Sequence, residues 1–291
     1  MQHSSPKIKI TKAMGKAPPQ NIRKLNYVFG YRAFDSRNNI KYIGDGNSIV
    51  YTTAALGIVL NKKNLKQKYF IYHNEDIVSL DLHPNFRTVA TGQMAAKGEA
   101  RAINLFVWDS SNLPDETNVE WNERQNIPNG VSNLKGRLLR AIRILKFSPD
   151  GNKLVGNGED DNNSIAVFDT SNVNKPVFVG LVKVDQSRVL DIAWINNDEF
   201  VSVCSKHIKF FKINGRNIEG TKGNFGKIKN ESLVSVVCAF GKVFTGGLKG
   251  NIIKWEGGTA ATSTNVCKNG PVYVLEYNEK YRRQIDDYRL N

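Results

Sequence analysis

Residue types that carry chemistry are sparse in this sequence. Four histidines, His3, His73, His83 and His207, stand far apart, and none falls in an HExxH pattern or at zinc-ligand spacing from a cysteine. The three cysteines, Cys204, Cys238 and Cys267, are odd in number and lie in or beside strand-like runs, the pattern of reduced thiols in a cytosolic protein rather than of a disulfide framework. No GxSxG elbow and no GxxxxGK[ST] loop occurs. "GNGEDDNN", Gly156 to Asn163, has the composition of a phosphate or Ca²⁺ loop, yet Gly, Asp and Asn are also what a tight hairpin turn requires. A hydrolase reading would rest on Asp160 or Asp161, and neither has a nameable base or nucleophile beside it. The sequence thus predicts no enzyme, no cofactor and no metal site.

The densest polar and aromatic constellation lies earlier. "YVFGYRAFDSRNNIKYI", Tyr27 to Ile43, sets Tyr27, Phe29, Tyr31 and Phe34 against Arg32, Asp35, Arg37, Asn38 and Asn39. Aromatic rings need apolar surface to bury against, and charges beside them are tolerated when paired. A packing device locked by hydrogen bonds is one reading; a ligand site is the other.

Charge supplies a second theme. Lys and Arg total 41 against 27 Asp and Glu, a net charge of +14, which favours an acidic partner: nucleic acid, anionic membrane or an acidic protein surface. No acid precedes Asp35, whereas Lys7, Lys9, Lys12, Lys16, Arg23 and Lys24 are scattered among Pro, Gly, Ser and Gln, so residues 1–24 read as a disordered basic arm, either a solubilising tail or an electrostatic tether. Lys206, Lys209 and Lys212 cluster around one strand-like run, followed by Arg216 and lysines up to Lys254. Such charges mark either a solvated strand face or a patch for an acidic partner. The aromatics keep strand-core register instead of interleaving with the lysines, which argues against nucleic acid. No segment is apolar for long enough to span a membrane; "IVYTTAALGIVL" is too short.

The elements that must carry these residues repeat. "IVSLDLHP", "IRILKFSP", "VLDIAWIN", "LVSVVCAF" and "VYVLEYNE" align with apolar residues at the same first, fourth and sixth places. About 10 to 12 residues after each of the first four comes a second β-like run, then a third ("INLFVWD", "SIAVFD", "IKFFKI", "NIIKWE"), at a period near 40 to 47 residues. Pro114 to Gly136 lengthens the first interval. "NNIKYI", "SIVYTTA", "LGIVLN" and "QKYFIY" supply one more set ahead of His73. The prediction is an all-β, WD40-type β-propeller of five blades plus the first strand of a sixth: residues 1–24 the arm, 25–72 the aromatic motif and first blade, 73–291 the remaining blades and a charged tail. Trp108-Asp109 closes a third strand, and "HNED" at His73 precedes a first strand, as in WD repeats.

"GYRAFDSRNN", "VYTTAALGIVLN" and "HNEDI…HP…ATGQ" together resemble the hydrophobic motif and first blades of echinoderm microtubule-associated protein-like proteins, over about Leu25 to Pro271. Ala33 and Ser36 stand where the family usually has Gly and Cys. The resemblance implies a non-enzymatic, microtubule-binding propeller of the cytoplasmic cytoskeleton or the ciliary axoneme, with tubulin as partner. It also implies that Tyr27, Phe29, Gly30 and Tyr31 pack at a junction between tandem propellers, and that Arg32, Asp35, Arg37 and Asn38 lock them. The arm lysines and arginine and Lys206, Lys209 and Lys212 are the candidate tubulin contacts. An incomplete ring would leave a sheet edge open, so a second polypeptide or a lattice is expected to cover it. An adaptor that presents peptides in the central channel is the alternative.

Overall fold

The structure, a computed structural model, describes residues 27–44, 46–99, 103–113, 127–205 and 207–277. The predicted basic arm, Lys206 and the charged C-terminal stretch from residue 278 lie outside the described residues.

Alternating apolar residues between Asn, Gly and Asp turns fold into five four-stranded antiparallel sheets. Blade one holds β1 (Ile40–Ile43), β2 (Ser48–Thr53), β3 (Leu56–Asn61) and β4 (Gln67–Phe70). Blade two holds β5 (Ile77–Leu82), β6 (Thr88–Gln93), β7 (Leu105–Asp109) and the two-residue β8 (Ser132–Asn133), which falls inside the lengthened interval. Blade three comprises β9 (Ile142–Phe147), β10 (Lys153–Gly158), β11 (Ile165–Asp169) and β12 (Val177–Val182). Blade four is β13 (Val189–Trp194), β14 (Glu199–Cys204), β15 (Ile208–Asn214) and β16 (Asn217–Lys222); blade five is β17 (Leu233–Ala239), β18 (Lys242–Gly247), β19 (Asn251–Glu256) and β20 (Thr259–Asn265). Strands run in sequence order across every blade, and β5 packs on β9, β9 on β13 and β13 on β17, so the first strands converge on a central channel.

The core sits between blades. Successive residues of a strand point to opposite faces, and in blade three Leu154, Ala166 and Phe168 join Leu105 and Val107 of blade two, whereas Val155, Ile165 and Val167 join Trp194, Phe200 and Phe211 of blade four. Each inner blade therefore covers both faces only by stacking, which is why a single repeat cannot stand alone. Blade one has no preceding blade on its outer face among the described residues; Tyr51, Leu56, Ile58, Tyr69 and Ile71 form a cluster there, with Val28 packed against it.

The Trp-Asp blade carries a buried polar relay. Trp108 Nε1 donates to Thr91 Oγ1 at 3.0 Å, and His73 meets Thr91 through Nε2 and Gln93 Oε1 through Nδ1, each at 2.8 Å. An amide oxygen cannot donate, so Nδ1 carries the proton and Nε2 accepts from Thr91. Trp255 repeats only the first step, donating to Thr245 Oγ1 at 2.9 Å.

Residues 271–277 form no ladder but take the position of a sixth inner strand. Ser79 Oγ donates to the Ile142 carbonyl at 2.5 Å from blade two to blade three, and Ser235 Oγ donates to the Val272 carbonyl at 2.6 Å from blade five. Glycine recurs where these contacts form: a Cβ on Gly92 would lie 2.6 Å from Ile142 Cγ2, and one on Gly246 would lie 2.5 Å from the Val272 oxygen.

Candidate functional site

The first strand of each blade turns one backbone edge toward the channel, where no further strand can pair with it, so its inward carbonyls need other donors. The motif supplies them. Ser36 Oγ donates to the Val78 carbonyl at 2.8 Å, and the guanidinium of Arg37 donates to the carbonyls of Leu190 at 2.5 Å, Val234 at 2.9 Å and Tyr273 at 2.7 Å. Val78, Leu190, Val234 and Tyr273 are the second residues of the aligned repeats. One dipeptide thus contacts the same backbone position of blades two, four and five and of the sixth run, and the two Nη groups of the guanidinium spread its donors over three carbonyls.

Arg32 fixes the base of this arrangement. It is 7% exposed, its Nε and Nη2 bind the two carboxylate oxygens of Asp35 at 2.7 Å each, and its Nη1 reaches Asp76 at 2.6 Å. The hydrogen bonds from Arg32 hold the Asp35 carboxyl below its ordinary range, and those to Asp35 raise the guanidinium in turn. Arg143 of blade three lies 3.6 Å from Asp35 and 3.1 Å from Glu159. Asn39 is fully buried; its amide donates to the Arg32 carbonyl at 2.7 Å and its oxygen accepts from the Tyr31 hydroxyl at 2.6 Å. Asn38 takes a positive φ of 55°, a conformation asparagine tolerates, and turns the chain from the channel mouth into β1. Deeper in the channel, Asp191 accepts from the amides of Ile192 at 2.9 Å and Val236 at 3.0 Å, and burial pushes its carboxyl up.

The aromatic half of the motif is placed differently. Phe29 and Phe34 are 86% and 85% exposed; Tyr27 lies against Phe29 with ring centroids 4.8 Å apart, and Arg32 lies 5.0 Å from the Phe34 ring centre. Gly30, at φ 111°, makes the turn between them. Tyr31 sets its ring edge-on to Tyr51 at 6.2 Å, and Val28 exchanges two main-chain hydrogen bonds with the Gln67 amide, at 2.8 and 3.0 Å. The polar residues face the channel and the aromatics face outward. Ser36 and Asp76 complete the site; in sequence Ser36 was marked only as a departure from the family and Asp76 only as the end of "HNED", and neither was assigned to the motif's locking set.

The lysines around β15 are not one patch. Lys209 and Lys212 are three positions apart on a regular strand and point to opposite faces. The Lys209 ammonium donates to the Val184 carbonyl, and Lys212 lies 3.6 Å from Glu199 with Glu219 across the ladder. "GNGEDDNN" runs from the last three residues of β10 into the turn that leads to β11: Asp160 accepts from the amides of Asn162 and Ser164, each at 3.0 Å, and Asp161 pairs with Arg140 at 2.7 Å. Among the described residues, no group of three His, Cys, Asp or Glu side chains is arranged to hold a metal, and no helix is long and apolar enough to cross a membrane.

Radially stacked four-stranded sheets with Trp108 tied through Thr91 to His73 define a WD-type β-propeller. The chain belongs to the echinoderm microtubule-associated protein family: the family model described as the first β-propeller of these proteins matches residues 66–283, and the HELP motif model matches residues 17–58. Echinoderm microtubule-associated protein-like 2 of Homo sapiens is 30% identical over 87% of this chain and 38% of its own length, and that of Rattus norvegicus is 29% identical over 88% and 38%. The ciliary WD repeat-containing protein ctxp80 of Euplotoides octocarinatus is 28% identical over 95% of this chain and 37% of its own length. The chain spans less than two fifths of the relatives it matches.

Proposed function

We propose that this chain is a non-enzymatic structural module that associates with microtubules, binding the tubulin lattice through its propeller surface and its excess positive charge. The observation that carries this reading is the match to the propeller of microtubule-associated proteins over residues 66–283. The net charge of +14 supports it, because long-range attraction to an acidic surface raises encounter rates and is screened by salt. The cytoplasmic cytoskeleton is the proposed location, and the axoneme of a cilium a specific case of it, on the likeness to a ciliary WD-repeat relative. A polypeptide or lattice surface covering the open side of blade five is part of the same reading. Arg37 stands across one mouth of the channel, which speaks against the adaptor reading with a peptide threaded there.

Co-sedimentation of the full chain with stabilised microtubules over a salt series tests the proposal. Pelleting at low salt that weakens as salt rises is expected; no pelleting at low salt would overturn it. A shortened chain beginning at Ile22 separates the arm from the blades: loss of pelleting assigns the contact to Lys7, Lys9, Lys12 and Lys16, and retention assigns it to the propeller.

A further inference from the structure

The seams between blades differ in how far they close. Between blades three and four, Ile213 of β15 and its ladder partner Ile218 of β16 are buried in the seam's core with Val179 packed against it, and the β15–β16 turn leans on β12, where a Cβ on Gly180 would lie 2.7 Å from the Arg216 oxygen. The outer strands β12 and β16 therefore pack together. Blade five carries Ala260 at the place of Ile218, opposite Trp255 in the ladder, and its β19–β20 turn is Gly257-Gly258, both at positive φ. One methyl group leaves open a seam that a branched four-carbon side chain fills. Among the described residues β20 does not pack on β16 as β16 does on β12. The two blades are instead pinned at Asn224, whose amide donates to the Gly258 carbonyl at 2.9 Å and whose carbonyl accepts from the Ala260 amide at 2.8 Å.

The result is a cleft of about 880 Å³ between blades four and five, within the range of about 300–1,000 Å³ usual for ligand sites. It opens where β15 and β19 end and β18 begins, at the ends of the blades away from the Arg37 contacts. Its floor is apolar: Ile195, Phe210, Val243 and Trp255, with the rings of Phe210 and Trp255 6.2 Å apart and tilted by 59°. Phe225 backs Trp255 edge-on at 5.0 Å. The walls carry opposite excesses of charge. On blade four Glu199, Lys212 and Glu219 stand side by side across three strands, two acids to one base. On blade five Lys242 and Lys254 share Glu256 at 2.8 Å each, two bases to one acid, and their hydrogen bonds hold its carboxyl down to about 2. Lys222, the last residue of β16, lines the cleft together with Asn224 of the pin.

We propose that the cleft between blades four and five is a docking site for an extended peptide segment that sets an aromatic side chain on Phe210 and Trp255 and carries a cation on one side of it and a carboxylate on the other. The aromatic follows from the floor, since rings pack offset or edge-on against rings. The charges follow from the walls: a cation meets the surplus carboxylate of blade four, and a carboxylate meets the surplus ammonium of blade five. A segment of one sign would be repelled by one wall. β16 supplies main-chain partners. It is the outermost strand of blade four, it is exposed from Glu219 to Lys222, and it has neither a proline nor a bulge to blunt its edge, so an extended chain can add to it as a fifth strand. A nucleic acid or an anionic membrane would meet the carboxylates of Glu199, Glu219 and Glu256 at the same place. The site goes beyond the microtubule reading and does not depend on it.

Fluorescence anisotropy of the full chain with fluorescein-labelled peptides, each a short core flanked by Gly and Ser, is the test. A Lys-Trp-Glu core should bind about tenfold more tightly than Lys-Ser-Glu, and more tightly than Lys-Trp-Lys or Glu-Trp-Glu. Thr221→Trp fills the cleft from the ladder partner of Phe210 and should weaken binding of the Lys-Trp-Glu peptide about tenfold. Thr262→Trp, on the other face of blade five beside Lys254, should leave it unchanged. Glu219→Lys should move the preference from Lys-Trp-Glu to Glu-Trp-Glu, a reversal that a merely weakened fold would not produce; urea midpoints check that each variant is folded. Absence of saturable binding, equal affinity for the Trp and Ser cores, or undiminished binding by the Thr221→Trp chain would overturn the site. Tighter binding of either one-signed core by the original chain would overturn the charge pattern of the partner, and displacement of the Lys-Trp-Glu peptide by single-stranded DNA or phosphatidylserine vesicles would overturn its class.

Discussion

Arg37 donates to the carbonyl oxygen of Val234 at 2.9 Å across 197 positions of sequence, and the same guanidinium holds Leu190 and Tyr273. A single side chain ahead of the first blade therefore bonds to two later inner strands and to the run that follows them. Arg37→Ala should lower stability by about 1–2 kcal/mol, the scale of charge-assisted hydrogen bonds discounted because the channel mouth admits water. Arg37→Lys keeps the charge but loses the fork, and should recover less than half of the loss. Urea midpoints of the three proteins measure this, and an Arg37→Lys chain as stable as the original would refute the three-carbonyl role.

Arg32 differs in being buried. Arg32→Gln leaves Asp35 and Asp76 without their shared cation and should cost about 2 kcal/mol near neutral pH, below the figure for fully buried pairs because both acids are partly exposed. The pH sign follows from Asp35. Its carboxyl is held below the ordinary 3.8 in the fold, so its contribution is complete above that value and is lost as pH falls through the lowered one. The gap between original and variant should thus narrow in acid below about pH 4. A gap constant from pH 7 to pH 3, read by chemical denaturation, would count against this ion pair.

Local pattern carried most of the fold. β5, β9, β13 and β17 start on the first residues of the aligned repeats, because period-2 alternation and Asn, Gly and Asp turns are properties of neighbouring residues. β8 was not legible: two residues, Ser132 and Asn133, carry no alternation. The pairing of Arg32 with Asp35 could be anticipated from charges three apart, but the partners of Arg37 are main-chain carbonyls, which every residue type possesses and no pattern announces. The outward placement of Phe29 and Phe34 was equally hidden, since an aromatic residue signals burial only where the chain supplies the opposing surface. Lys209 and Lys212 were grouped by nearness in sequence, although an odd spacing on one strand already sets them on opposite faces; the sequence held that signal and the grouping missed it.

The relay in blade two gives a comparison within one molecule. Thr91→Val removes the acceptor of Trp108 and the donor to His73, whereas Thr245→Val removes the acceptor of Trp255. Stranding a buried polar group costs about 1–3 kcal/mol, so Thr91→Val should cost more than Thr245→Val by about that amount. Thermal or urea unfolding ranks the two, and the reverse order would mean that the histidine adds nothing to the seam.

His83 joins blades two and three in a form that only the neutral ring can adopt. Its Nδ1 accepts from the Asn85 amide at 3.0 Å, so the proton resides on Nε2, which donates to the Gly151 carbonyl at 3.1 Å, while Phe147 meets the ring edge-on at 5.1 Å. A second proton would set an N–H against the Asn85 N–H. Burial lowers the His83 pKa below 6.5, with the carbonyl of Gly151, Asn85, Asp150 and Asp81 opposing the shift; burial lowers His207 as well, against Asp185. For groups so depressed the unfolded chain binds more protons, so their contribution to stability is complete above pH 6.5 and falls away as pH drops below it. Denaturation midpoints should therefore decline between pH 7 and pH 5.5, and His83→Gln should decline less steeply, the remaining slope belonging to the other histidines. Parallel curves for the two proteins would show that protonation of His83 is accommodated and that the seam between β5 and β9 holds without the neutral ring, on its apolar contacts and on the bonds from Ser79 to the Ile142 carbonyl and from the Phe147 amide to Asp81.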